Sequence, residues 1–207
     1  MQTRNIAATV HGRYLYENRG EERLLIGFHG YAEAAEANMA ELEKIPGIGE
    51  WSLASIQALH PFYIKGDTVI AASWMTRQDR ELAIADNLAY VRSVIAALPP
   101  ARAVVFLGFS QGASMAYRAA AWAHPAAGVI ALGGDVPPDV KADPSVKLPP
   151  TFVGRGERDD WFTDEKLKKD LSYLGTTTTV QSLVFSGAHE WTEEFRTVAG
   201  EFLRRLA

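Results

Sequence analysis

A serine lies between two glycines in the stretch Gly108-Phe109-Ser110-Gln111-Gly112. An apolar run of strand length precedes this stretch, and an alanine-rich segment typical of a helix follows it. A tight strand-to-helix turn exposes the serine hydroxyl and brings together the residues two before and two after it, so both must be small. The spacing therefore predicts that Ser110 is a nucleophile. It also places the Gln111 N–H at a helix N-terminus, where negative charge is stabilised.

A serine nucleophile needs a base, and the base needs a carboxylate that orients it. His189 comes after the last predicted strand and before the last predicted helix, so it should reach the same edge of a sheet as Ser110. Asp159 comes after the preceding predicted strand and is the preferred acid. Its neighbour Asp160 is the second choice, and Asp135, after the strand before that, is the third.

Acyl transfer also needs two N–H groups that bind the developing oxyanion. The Gln111 N–H is the first predicted donor. The second is the Tyr31 N–H, because Gly30 beside it allows the backbone after the predicted strand Arg23–Phe28 to approach the serine. His29 in the same loop is interpreted as a residue that holds the loop and not as the base.

Large apolar side chains follow several predicted strands, and some are expected to line an apolar site for the acyl or alcohol group. Ordinary core packing is the alternative interpretation for each of them. These pocket candidates are Trp74, Met75, Trp161, Phe162 and Trp191.

A common sheet edge for these residues requires parallel strands, and the apolar pattern predicts them. Strand-length apolar runs alternate with helical patterns, which indicates a mostly parallel sheet with helices on both faces. The predicted strands are Ile6–Val10 and Tyr14–Tyr16, joined as a hairpin across His11-Gly12, then Arg23–Phe28, Thr68–Ala72, Ala103–Gly108, Gly128–Leu132, Thr151–Gly154 and Val180–Phe185. The predicted helices are Glu33–Lys44, Ser52–Leu59, Arg80–Leu98, Gln111–His124, Thr163–Leu174 and Thr192–Leu206. The proline-rich segment 136–150 is predicted to be a surface loop.

Composition limits the possible functions. The chain has 207 residues, 47% of them hydrophobic, which predicts a single domain over residues 1–207. A formal charge of −4 with scattered Lys and Arg argues against a nucleic-acid partner. The absence of cysteine excludes disulfides, Cys-based metal sites and a thiol nucleophile. No apolar run is long enough for a membrane span and the first residues lack a signal-peptide core, so a cytoplasmic protein is expected. The oligomeric state stays open, with a homodimer as one option.

Together these motifs resemble the phospholipase/carboxylesterase family of α/β-hydrolases, which contains acyl-protein thioesterases and small bacterial carboxylesterases. The resemblance covers most of the chain and depends on HG at His29-Gly30, GFSQGA from Gly108, GxxD ending at Asp159 and GAH ending at His189, with serine, acid and histidine in the hydrolase order. It implies an α/β-hydrolase fold with a mostly parallel sheet of about seven to eight strands and no large cap domain. It also implies a Ser-His-Asp triad, an acyl-enzyme intermediate, ester or thioester substrates, and no cofactor or metal.

Two features depart from the thioesterase-like members of that family. Ala32-Glu33, interpreted as the start of an alanine-rich helix, stands where those members have glycine and an acidic residue. Asp160-Trp161-Phe162 stands where their acid is followed by Pro and Val. Both changes lie at the predicted substrate mouth, so protein depalmitoylation is not carried over. A lysophospholipase, a serine peptidase or a non-catalytic binding protein on this scaffold are the alternative functions.

Overall fold

The computed structural model describes residues 1–20, 22–64, 66 and 68–206. Its strands are β1 (Arg13–Glu17), β2 (Arg23–Phe28), β3 (Ser52–Gln57), β4 (His60–Ile64), β5 (Val69–Ser73), β6 (Ala103–Phe109), β7 (Gly128–Leu132), β8 (Thr151–Gly156) and β9 (Val180–Phe185). Seven of them form one sheet in the order β1-β3-β2-β6-β7-β8-β9, and β4 pairs with β5 in a separate antiparallel sheet. All neighbours in the larger sheet run parallel except β1, which is antiparallel to β3.

Helices cover both faces of this sheet. They are α1 (Ala35–Leu42), α2 (Arg80–Ala97), α3 (Gln111–Arg118), α4 (Pro138–Ala142), α5 (Asp164–Thr177) and α6 (Glu193–Arg205). Helices α1 and α6 pack on one face, where Leu25 and Phe195 are buried, and α2 to α5 pack on the other, where Phe106 is buried. The predicted mostly parallel sheet with two covered faces is confirmed. None of the described helices is long and apolar enough to cross a membrane.

The first third of the chain contains the main errors of the sequence interpretation. The predicted hairpin of residues 6–16 is wrong, because residues 1–12 form no strand and β1 pairs with β3 instead. The predicted helix Ser52–Leu59 is also wrong, since this segment contains β3. Every residue of β3 is buried, and a strand buried on both faces lacks the alternation that distinguishes it from a helix.

Two further segments differ from expectation. The predicted strand Thr68–Ala72 corresponds to β5, but it lies in the small sheet with β4, which was not predicted. The segment 136–150 is not simply a surface loop, because it contains α4 and buries Val136, Val140 and Leu148 in the core. Apolar residues between the prolines therefore anchor it.

Candidate active site

The turn around Ser110 is as tight as its two glycines predict. Ser110 has φ 54° and ψ −118°, a conformation that L-residues rarely adopt. A Cβ on Gly108 would lie 2.2 Å from the carbonyl oxygen of Gly112. A Cβ on Gly112 would lie 2.1 Å from the carbonyl oxygen of Phe28. Backbone therefore packs on backbone on both sides of the serine, and no side chain fits at either glycine.

Ser110, His189 and Asp159 lie within one hydrogen-bonded chain at the carboxyl edge of the sheet. The Ser110 Oγ is 2.8 Å from His189 Nε2, and His189 Nδ1 is 2.8 Å from Asp159 Oδ2. A carboxylate can only accept, so Nδ1 carries the proton and Nε2 is left as the acceptor for the serine hydroxyl. This tautomer suits a base that removes a proton from Ser110.

The Asp159 carboxylate is buried and firmly held. Its second oxygen, Oδ1, accepts the backbone N–H groups of Trp161 and Phe162 at 2.9 and 2.8 Å. These bonds leave Oδ2 for His189. Among the residues that the structure describes, neither Asp160 nor Asp135 hydrogen-bonds to His189.

The loop after β2 is held by the buried His29. Its Nε2 accepts the Ala58 N–H at 3.0 Å, so Nδ1 carries the proton and donates to the Gly30 carbonyl at 2.7 Å. Burial lowers the pKa of His29, which favours this neutral form. Because a trans peptide points its N–H opposite to its C=O, the bond from His29 fixes the direction of the Tyr31 N–H.

Two other side chains connect this loop with the turn around Ser110. The Trp74 indole N–H donates to the His29 carbonyl at 2.9 Å. The Gln111 side chain accepts the Trp74 N–H at 2.9 Å and donates to the Met75 carbonyl at 2.8 Å. Sequence reasoning used only the backbone of Gln111 and missed this role of its side chain, for which the sequence carries no local signal.

The predicted oxyanion donors have no hydrogen-bond acceptor among the described residues. Among the described residues, neither the Tyr31 N–H nor the Gln111 N–H donates a hydrogen bond within the protein. The two segments also touch, because a Cβ on Gly112 would lie 2.5 Å from the His29 carbonyl oxygen. Two unpaired N–H groups near a nucleophile are what oxyanion stabilisation requires.

Three of the five pocket candidates are core residues, and their prediction is wrong. Trp74, Met75 and Phe162 are 0%, 5% and 1% exposed, so they offer almost no surface to a substrate. The other two are accessible. Trp161 is 75% exposed, and Trp191 is half-buried. The local sequence around an aromatic residue at a strand end does not show whether that residue is buried or exposed.

Sequence reasoning missed two further neighbours of the histidine. The Phe109 ring packs on the His189 ring with centroids 4.9 Å apart. Gly133, at the end of β7, has φ 61°, and a Cβ there would lie 2.9 Å from His189 Cε1. The pair Gly133-Gly134 at a strand end was a readable signal of such a close approach.

Residues 30–33 form a turn and not the start of a helix, so the prediction for Glu33 is also wrong. The Ala32 N–H donates to the Ala72 carbonyl at 3.1 Å, and Ala32 has φ 60°. Glu33 Oε2 accepts the Gly30 N–H at 2.8 Å, and burial raises the pKa of this carboxyl. Helix α1 begins only at Ala35.

Comparison with known proteins identifies both sequence and fold relatives. The sequence model of the family described as Phospholipase/Carboxylesterase matches residues 74–206. A comparison with curated protein sequences finds no match. The structure of esterase PE8 is similar with a TM-score of 0.71 and 22% identity, covering 95% of this chain and 98% of that one.

Two further structures, each with a named source organism, are similar to this chain. The Bacillus cereus carboxylesterase has a TM-score of 0.73 and 14% identity, covering 95% of each chain. Acyl-protein thioesterase 2 from Zea mays has a TM-score of 0.73 and 16% identity, covering 95% of this chain and 99% of that one. At these identities the structures show the fold, which is that of the α/β-hydrolases.

Proposed function

The chain belongs to the phospholipase/carboxylesterase family and is a hydrolase of the carboxylesterase and thioesterase type, and we propose that it cleaves carboxylic esters or thioesters with Ser110 as its nucleophile. The observation that supports this most is the hydrogen-bonded chain from Ser110 through His189 to Asp159, with both bonds at 2.8 Å. In this proposal the whole chain acts as one domain and needs no cofactor.

The proposed reaction has two halves. In the first, His189 takes the hydroxyl proton as Ser110 Oγ attacks the carbonyl carbon, and the Tyr31 and Gln111 N–H groups bind the oxyanion. When the tetrahedral intermediate collapses, His189 gives that proton to the leaving alcohol or thiol, and an acyl-enzyme remains. In the second half, water gives a proton to His189 and attacks the acyl carbon, and His189 returns that proton to the Ser110 oxygen as the acid is released. Asp159 keeps the imidazole in one tautomer throughout and stabilises its charged form.

The substitution Ser110→Ala tests the nucleophile. Loss of the reacting oxygen should lower kcat by about 10⁶ while the fold is retained. The assay uses p-nitrophenyl esters of increasing chain length, with lysolipids and aminoacyl amides to distinguish the lysophospholipase and peptidase alternatives. Ser114→Ala, on the same helix, is the matched control and should keep wild-type activity. Normal turnover by Ser110→Ala would refute the proposal, and failure of the wild type to turn over any substrate would favour a binding protein.

The substitution Asp159→Asn tests the acid. An asparagine would present the wrong hydrogen-bonding group to His189 Nδ1 and should lower kcat by about 10⁴. Asp160→Asn removes the adjacent, exposed carboxylate and should leave kcat within about twofold. The same ester assay measures both. The reverse order of effects would assign the acid to Asp160.

A further inference from the structure

A carboxylate without a cationic partner lies beside the proposed active site. Glu33 is half-buried, and its Oε2 accepts the Gly30 N–H at 2.8 Å. Within the described part of the chain, no Lys or Arg forms an ion pair with it. A partly buried carboxylate is usually paired, because burial disfavours its charge. The mechanism proposed above does not use this group.

Glu33 lies on the same side of the loop as the imidazole. A Cβ built on Gly30 would be 3.2 Å from Glu33 Oε2 and 3.1 Å from Phe109 Cδ1, so the carboxylate and the Phe109 ring approach the same point. The Phe109 ring in turn packs on His189 at 4.9 Å between centroids. Burial raises the pKa of Glu33, and its hydrogen bond from the Gly30 N–H lowers it.

The surroundings of Glu33 favour a positive ligand. The nearby carboxylate of Glu41 also raises the pKa of Glu33, but Glu41 is itself paired with Lys44 and Arg196. The side chain of Tyr31, two residues before Glu33, is 59% exposed and packs against Phe62. A carboxylate attracts ammonium groups, and an accessible aromatic ring adds to that attraction where the ligand also reaches it.

We propose that Glu33 is a specificity residue that binds a positively charged ammonium group on the alcohol part of the substrate. The inference rests on the proposed function, because it assumes that an ester is attacked at Ser110. The alcohol part is assigned because His189 must reach the leaving oxygen, and Glu33 lies on the histidine side of the loop. A ligand ammonium would supply the missing partner of this carboxylate.

A pair of esters with nearly the same shape tests the charge. Acetylcholine carries the ammonium, and 3,3-dimethylbutyl acetate replaces it with a neutral carbon. At about pH 8, wild-type kcat/KM should favour the choline ester by about tenfold. Glu33→Gln keeps an oxygen that can accept the Gly30 N–H but removes the charge. It should lower kcat/KM for the choline ester by about tenfold and leave the neutral ester within about twofold.

Controls separate charge recognition from other effects. Glu36→Gln removes the exposed carboxylate that pairs with Arg13 and should leave the preference for acetylcholine intact. An equal loss on both esters in Glu33→Gln would mean that Glu33 only positions the loop, and would overturn the proposal. So would a wild type without preference, or a preference confined to esters whose acyl part carries the ammonium.

A phosphonate that labels active serine hydrolases identifies which claim has failed. Labelled enzyme that hydrolyses both acetates without preference would refute the role of Glu33 alone. Enzyme that is neither labelled nor active would refute the proposed function and, with it, this inference.

Discussion

The turn around Ser110 and the loop around Tyr31 meet at one site, yet they are stabilised in different ways. Each contains a non-glycine residue at positive φ, Ser110 at 54° and Ala32 at 60°. The serine turn is shaped by two glycines within its own five residues. The Tyr31 loop is instead held by side chains, His29 within it and Trp74 from a distant segment. The first therefore depends on its own glycines, and the second depends on side-chain hydrogen bonds, one of them from a distant segment.

The proposed reaction requires a strained backbone conformation at Ser110 but not at Ala32. Ser110 must carry a side chain, so its unfavourable backbone conformation cannot be relieved by glycine without losing the hydroxyl. Ala32 contributes no reacting atom, and its N–H donates to the Ala72 carbonyl. We infer that the strain at Ala32 is incidental and that the strain at Ser110 is required.

Gly112→Ala breaks the serine turn and should have the largest effect of the substitutions that compare these two regions. The new methyl would overlap the Phe28 carbonyl oxygen, which is backbone and cannot move aside easily. We expect a loss of about 3 kcal/mol in the free energy of unfolding and a fall of about 10² in kcat, because Ser110 would be displaced. Urea unfolding and ester hydrolysis measure these changes.

Gly175→Ala is the matched control for that experiment. Gly175 lies in α5, and a Cβ there meets nothing within 4 Å. The substitution should raise the free energy of unfolding by up to about 1 kcal/mol, as expected for Gly→Ala in a helix. Wild-type stability and activity in Gly112→Ala would contradict the account of the turn.

Trp74→Phe weakens the Tyr31 loop and should have a smaller effect. It removes the indole N–H that donates to the His29 carbonyl and leaves this buried oxygen without that partner, at a cost of about 1–3 kcal/mol in stability. We expect kcat to fall about tenfold with KM nearly unchanged, since oxyanion contacts act mainly in the transition state.

Trp122→Phe provides the comparison for Trp74→Phe. The Trp122 indole N–H contacts Asp143, outside the proposed site, and its loss should leave kcat at the wild-type value. A larger change in KM than in kcat for Trp74→Phe would argue against a role of Trp74 in positioning the oxyanion donors.

Ala32→Gly should have the smallest effect, in the opposite direction. Glycine adopts positive φ without the Cβ clash, which outweighs its greater freedom in the unfolded chain. The free energy of unfolding should rise by roughly 0.5–1 kcal/mol with kcat unchanged. Ala40→Gly, at an exposed position of α1, should instead lower it by about 1 kcal/mol. If both substitutions destabilise the protein equally in urea, Ala32 is not strained.

The same contrast explains how much the sequence could predict. Residues that come soon after a parallel strand must lie at one edge of the sheet, so Ser110, Asp159 and His189 could be proposed to meet there from their positions alone. Ala32 and Glu33 were interpreted as the start of a helix because the following alanine-rich segment favours a helix. Hydrogen bonds to His29 and Ala72 override that preference, and the pairing with Ala72, from a distant segment, is not visible in the local sequence.

Burial also decided features that the sequence pattern leaves ambiguous. The segment Ser52–Gln57 consists mainly of small or apolar residues, and they occur at successive positions. This pattern fits a helix as well as a buried strand. Trp74 and Trp161 each lie beyond the end of a predicted strand, yet Trp74 is fully buried and Trp161 is 75% exposed. Only the three-dimensional packing distinguishes these cases.

The central claim is that Ser110 is the nucleophile, and covalent labelling tests it most directly. The enzyme is inactivated with a p-nitrophenyl phosphonate, digested and analysed by peptide mass spectrometry. We predict that the phosphonate is found on Ser110 alone and that the labelled fraction equals the fraction of activity lost. Complete inactivation with Ser110 unmodified, or with the label on another residue, would contradict the account.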